Sequence, residues 1–119
     1  MKFSELEYQR PDLDLLKEDF FNQISLIEMA EEAEVALKAT KHIQEIQNTL
    51  GTLSTLVSIR NSINTKDSFY EEETAFWDEH FPIIGEWDTA YYRAVLGSKW
   101  RSELENYLPE TFFPMAENS

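Results

Sequence analysis

The chain has 119 residues, 42% of them hydrophobic, and its 23 acidic residues against 10 basic ones leave a formal charge of −13. That is enough apolar material for the core of one ordinary domain, while a field of that sign repels phosphate backbones and anionic lipid, which argues against nucleic acid and membrane surfaces as partners. The absence of cysteine removes disulfides, thiolate nucleophiles and sulfur-ligated zinc together, and makes the cytoplasm the expected compartment.

Only three glycines and four prolines punctuate the chain, so its segments are long and the expected class is all-α. Met1–Glu7 holds no apolar run suited to a signal sequence, and no stretch approaches ~18 uninterrupted apolar residues, so neither secretion nor a membrane span is expected. Pro11 suits a first helical turn, and Asp12 and Asp14 suit the positive end of a helix dipole. Leu13, Leu16, Phe20, Ile24 and Ile27 then mark one apolar stripe, which predicts a helix over about 11–28. Glu28 to Glu34 is too acidic for core and reads as a turn or a helix start.

A second stripe, through Ala36, Thr40, Ile43, Gln47, Leu50, Ser54 and Val57, predicts a helix over about 31–64. At 1.5 Å per residue it would run roughly 45 Å, the length of a small domain. Gly51 lies inside it, flanked by small residues, and a close helix crossing or a local bend is expected there. Asn64-Thr65-Lys66-Asp67 is the strongest turn in the chain, and Ser68 with Glu71 fits a capping box. The next helix, about 67–97, carries Trp77, Phe81, Ile84, Trp87 and Tyr91, with a kink expected near Pro82. Gly97 ends that run, and Ser98 caps a shorter helix over about 98–108, stopped by Pro109. Beyond it Phe112, Phe113 and Met115 need something to pack against, so the chain reads as cut short.

Catalytic constellations are sparse. A two-metal helical bundle needs Glu-x-x-His, but Ala39 and Trp77 stand three residues before His42 and His80. The acidic triplet Glu71-Glu72-Glu73 is accounted for by the helix dipole without a bound cation. No serine has an identifiable base and orienting partner. The aromatic stripe could line a pocket for apolar peptide side chains, but helical spacing favours core. Arg60 is a lone cation ahead of an acidic helix start. Pairing with Asp67, Glu71 or Glu72 would pin the hairpin; alternatively Arg60, Asn61 and Asn64 would face a peptide channel. The pinning role is the preferred one.

Two segments carry a family resemblance: Tyr8-Gln9-Arg10-Pro11-Asp12-Leu13-Asp14-Leu15-Leu16, and the run from Val57-Ser58-Ile59-Arg60-Asn61 through Ser68-Phe69-Tyr70 to Glu71-Glu72-Glu73. Both resemble the N-terminal region of oligoendopeptidase F-type, thimet oligopeptidase-like zinc metallopeptidases. Those enzymes work through His-Glu-x-x-His, where two histidines bind zinc and the glutamate activates water. Neither histidine of this chain sits in that motif.

The expected fold is therefore an all-α helical bundle, built on a long antiparallel helical hairpin with shorter flanking helices. The resemblance implies one N-terminal lobe over residues 1–119, a fragment of a larger peptidase. It would shape the substrate cleft while having no catalytic, metal or cofactor residues of its own. Zinc and water activation are implied for the missing catalytic domain of the same polypeptide, with oligopeptides as substrates. Exposed apolar surface on the fragment would also support self-association. The alternative is an independent acidic helical-bundle module for protein–protein interaction, docking a partner helix on its aromatic stripe.

Overall fold

The computed structural model describes residues 8–63, 68–109 and 112–113. Four helices follow one another: α1 (Leu13–Met29), α2 (Ala33–Ile63), α3 (Ser68–Leu96) and α4 (Arg101–Tyr107), with no strand among the described residues. The molecule measures 52 × 26 × 26 Å, its long axis set by the 31-residue α2 and the 29-residue α3. These two form the hairpin, α1 lies against both, and α4 packs on their other end.

Helix α1 starts one step later than Pro11 suggests. Asp12 is its N-cap, the Oδ1 accepting from the Leu15 N–H at 3.2 Å, so Pro11 stands outside the first turn. A side-chain oxygen that satisfies an otherwise orphaned amide fixes the start better than the proline ring does. The acidic stretch after α1 resolves into a short bend at Glu31–Glu32, and α2 begins at Ala33.

The predicted α1 stripe turns inward. Phe20 is fully buried against Phe21, Trp87 and Tyr91, with Ile24 and Ile27 beside it. From α2 come Ala36, Ala39, Ile43, Ile46, Leu50 and Val57, and from α3 Trp77, Trp87, Tyr91 and Val95. Thr40 is buried among them because its hydroxyl donates to the Ala36 carbonyl at 2.8 Å.

Helix α3 continues through Pro82. Phe81, Pro82, Ile83 and Asp78 are all exposed, so the Asp78 carbonyl deprived of its helical partner has access to water. Ser98 acts just before α4, its Oγ accepting from the Trp100 N–H at 3.0 Å, and the Trp100 indole donates to the Ala30 carbonyl at 2.8 Å. That bond ties the approach to α4 to the α1–α2 bend. Phe112 packs inside the chain, 6% exposed against Tyr91 and Tyr92. Met115 lies outside the described residues.

Gly51 departs from expectation. A Cβ built there, or at Gly85 on α3, would meet nothing within 4 Å among the described residues. No helix crosses closely at either position. Glycine in a helix interior costs backbone entropy without compensation here, so Gly51→Ala and Gly85→Ala should each raise the stability of the isolated chain by about 0.5–1 kcal/mol in urea unfolding. Phe20→Ala should lower it by about 3–5 kcal/mol, because the ring is enclosed on all sides.

Candidate functional site

The most specific polar cluster joins the segment leading into α1 to the start of α3. Glu73 faces inward, one turn before Trp77 on α3, and is 3% exposed. Burying a carboxylate there is tolerable only with full hydrogen bonding and a countercharge. Tyr8 donates to Glu73 Oε1 at 2.6 Å, Arg10 Nε donates to the same oxygen at 3.0 Å, and Arg10 Nη2 donates to Oε2. The guanidinium is bidentate, with its carbon 4.3 Å from the centre of the Phe76 ring. Trp77 closes the set, its indole N–H donating to the Tyr8 hydroxyl at 3.1 Å.

The electrostatics follow. Hydrogen bonds from Arg10 hold the Glu73 carboxyl below the usual carboxylate range, opposed by its burial, and the same pairing raises the Arg10 guanidinium. Burial, then the bond to Glu73, pushes the Tyr8 phenol up to about 12. The cluster is thus a fixed ion pair at neutral pH, with neither a free base nor a free acid. Reading Glu71-Glu72-Glu73 as a dipole-stabilised triplet fails for Glu73: its neighbours Glu71 and Glu72 are exposed, whereas Glu73 shares the buried face of Trp77.

Arg60 and Asn61 sit on the last turn of α2, both half-buried. Arg60 Nη1 donates to the Tyr70 hydroxyl at 3.0 Å, a contact from α2 to α3, with its guanidinium carbon 5.8 Å from the centre of that ring. Tyr70 in turn packs on Tyr8, ring centres 6.3 Å apart, so the hairpin end and the Glu73 cluster are neighbours. Asn64 and Asp67 lie outside the described residues. Tyr70 was not anticipated as a partner for Arg60; its place three residues after the turn was the available signal.

Neither histidine joins a metal-ligating set. His42 Nε2 donates to Asp19 Oδ2 at 2.6 Å, linking α2 to α1 and lowering the Asp19 carboxyl. His80 Nδ1 donates to the Phe76 carbonyl at 2.7 Å, its ring tilted 37° to that of Phe76 with centres 4.3 Å apart. Among the described residues, no three His, Cys, Asp or Glu groups come together to hold a metal ion.

A groove runs between α2 and α3. Two adjoining cavities of about 260 and 250 Å³ share Ser54, Trp77 and Phe81; one extends to Gly51, Gly85 and Asp88. The anticipated aromatic stripe therefore divides. Trp77, Trp87 and Tyr91 are core, while Phe81 is 48% exposed on the groove wall. Gln47 donates to Asp88 Oδ1 at 2.9 Å, and burial raises the Asp88 carboxyl despite that bond.

Residues 3–119 match the family model for the peptidase M3 N-terminal domain. No curated protein matches the chain. Two solved structures, one of PZ peptidase A with an inhibitor and one of a candidate oligoendopeptidase F, are each 37% identical and superpose with a TM-score of 0.91. Each match covers 98% of this chain and 21% of the solved one, so the chain spans about a fifth of their length.

Glu73 and Asp88 should respond to pH with opposite sign. A lowered folded-state pKa adds stability above the unfolded value, lost as pH falls through the folded one; a raised pKa adds stability only below the unfolded value, lost as pH rises through the folded one. Glu73→Gln should therefore destabilise more at pH 7 than at about pH 3, whereas Asp88→Asn should stabilise at neutral pH and be neutral in acid. Arg10→Ala should cost more than Glu73→Leu at neutral pH, since it leaves a buried carboxylate without its cation. Urea unfolding at the two pH values measures all three.

Proposed function

This chain belongs to the peptidase M3 N-terminal domain family, and we propose that it is the non-catalytic N-terminal lobe of an oligoendopeptidase F-like zinc metallopeptidase that cleaves short peptides. The observation that carries this reading is the pair of superpositions, over 98% of this chain and 21% of peptidase chains about five times as long. In that arrangement the remaining part of the polypeptide holds the zinc and activates water. The described residues of this chain do not fit a zinc site, and no chemical step is assigned to them.

The lobe's contribution is shape. The hairpin of the 31-residue α2 and the 29-residue α3, braced at one end by the Glu73 cluster, serves as a wall that admits extended peptides and excludes folded proteins. Arg60, Asn61 and Asn64 at that end are proposed to hold the hairpin tip. Cytoplasmic location accords with a cysteine-free chain in which no described helix is long and apolar enough to cross a membrane.

The test compares two proteins on a fluorogenic short peptide. One is the 119-residue chain; the other is a fusion in which it replaces the matching fifth of PZ peptidase A. The chain alone should be inactive with or without added zinc, and the fusion should cleave the peptide and lose activity to a chelator. Cleavage by the isolated chain, or a folded fusion that cannot cleave, contradicts the proposal.

A further inference from the structure

The two walls of the α2–α3 groove are continuous stripes. Gln44, Gln47, Gly51, Ser54 and Ser58 follow at helical spacing on α2, and Asp78, Phe81, Gly85, Asp88 and Tyr92 do so on α3. The lower end of both stripes is covered. Tyr107 of α4 donates to Gln44 Oε1 at 2.9 Å, and Phe112 packs on Tyr92 with ring centres 5.5 Å apart. One turn beyond Gln44, at Gln47, no described residue covers the groove. His42, which faces α1, lies two residues from Gln44 and so points about 200° away, placing the groove on the side of the hairpin turned from α1.

Three features describe what fits there. Trp77 and Phe81 give it an aromatic floor and wall. Gly51 and Gly85 leave open space above bare backbone on both walls, the surface that lets another chain approach closely. Asp78 and Asp88 are the ionisable groups lining it, both acidic, and Asp88 keeps Oδ2 available beyond its bond to Gln47 through Oδ1. The occupant is therefore apolar, small where it crosses the glycines, and cationic at the Asp88 end. About four fifths of the matched peptidase chains lies outside the region this chain covers, ample polypeptide to supply it.

We propose that this groove seats a helix from the catalytic portion of the peptidase polypeptide, apolar toward Trp77 and Phe81 and carrying one arginine or lysine that pairs with Asp88. The proposal rests on the lobe reading above and adds the docking face. It also accounts for glycine at two helix-interior positions that no described residue requires.

Because the chain has no cysteine, single thiols report on the groove without background from this region. Ser54→Cys is alkylated with N-ethylmaleimide in the isolated chain and in the PZ peptidase A fusion, the labelled peptide being followed by mass spectrometry. Gly85→Cys on the opposite wall serves as the second reporter, and Lys38→Cys, Ala75→Cys and Ser102→Cys sample other exposed surface. Both groove thiols should react about tenfold more slowly in the fusion, and Asp88→Asn should restore about threefold of that. If the groove thiols react equally in both proteins while another position slows, the lobe docks elsewhere: this inference falls and the lobe reading stands. If no position slows, this inference falls too, and the lobe reading stands or falls by the cleavage test above. Slowing that Asp88→Asn leaves unchanged overturns the cationic partner.

Discussion

A carboxylate inside a protein must be answered, and Glu73 organises much of this chain by that requirement. Its burial beside Trp77 calls for a cation and a second donor, which the helix itself does not supply. Arg10 and Tyr8 supply them from more than sixty residues away. Once they are bound, the segment leading into α1 is fixed against the start of α3, Asp12 is placed to cap α1, and the Phe20 stripe is laid over the hairpin. Trp77 extends the same constraint across the bundle: its indole nitrogen serves Tyr8, and its ring lines the α2–α3 groove.

The hairpin thus has two differently finished sides. Toward α1 the packing is closed by large side chains, with the His42–Asp19 pair at its edge. On the other side, among the described residues, α4 and Phe112 close the lower end through Gln44 and Tyr92. Above them the small residues Gly51, Ser54 and Gly85 leave a trough with a half-buried acid at its end. A surface of that kind is costly for an isolated chain, since the glycines loosen the helices and burial disfavours the charged form of Asp88. Those costs are intelligible if the trough belongs to a larger assembly.

Helix periodicity was legible in the sequence, because the α1 and α2 stripes consist of apolar residues whose burial follows from spacing alone. The cap at Asp12 was legible as charge near a helix start, though Pro11 obscured which residue ends the non-helical backbone. Glu73 was not, because three successive glutamates at a helix start already have a sufficient cause in the dipole; only its place one turn before Trp77 hinted that it faces inward. Asp88–Gln47 and Asp19–His42 join different helices, and periodicity within one helix carries no information about pairing between two. Gly51 misled for a related reason: a glycine signals close approach without saying whether the approaching chain lies within the same domain. The two segments that resemble oligoendopeptidase F-type enzymes did carry the cluster, one holding Tyr8 and Arg10 and the other Glu73, but nothing in either string says that they touch.

Membership in the peptidase M3 N-terminal domain family gives this construction its context: under the lobe reading proposed above, a wall beside a catalytic centre must keep its shape. The brace at Glu73 is what holds that shape. A carbon-detected NMR titration of the Glu73 side-chain carboxyl tests it most directly. A midpoint below the ordinary glutamate value of about 4.3, moving upward in the Arg10→Ala chain, is the predicted result. An ordinary midpoint that ignores the Arg10 substitution would mean that the carboxylate stands in water and that the brace does not exist.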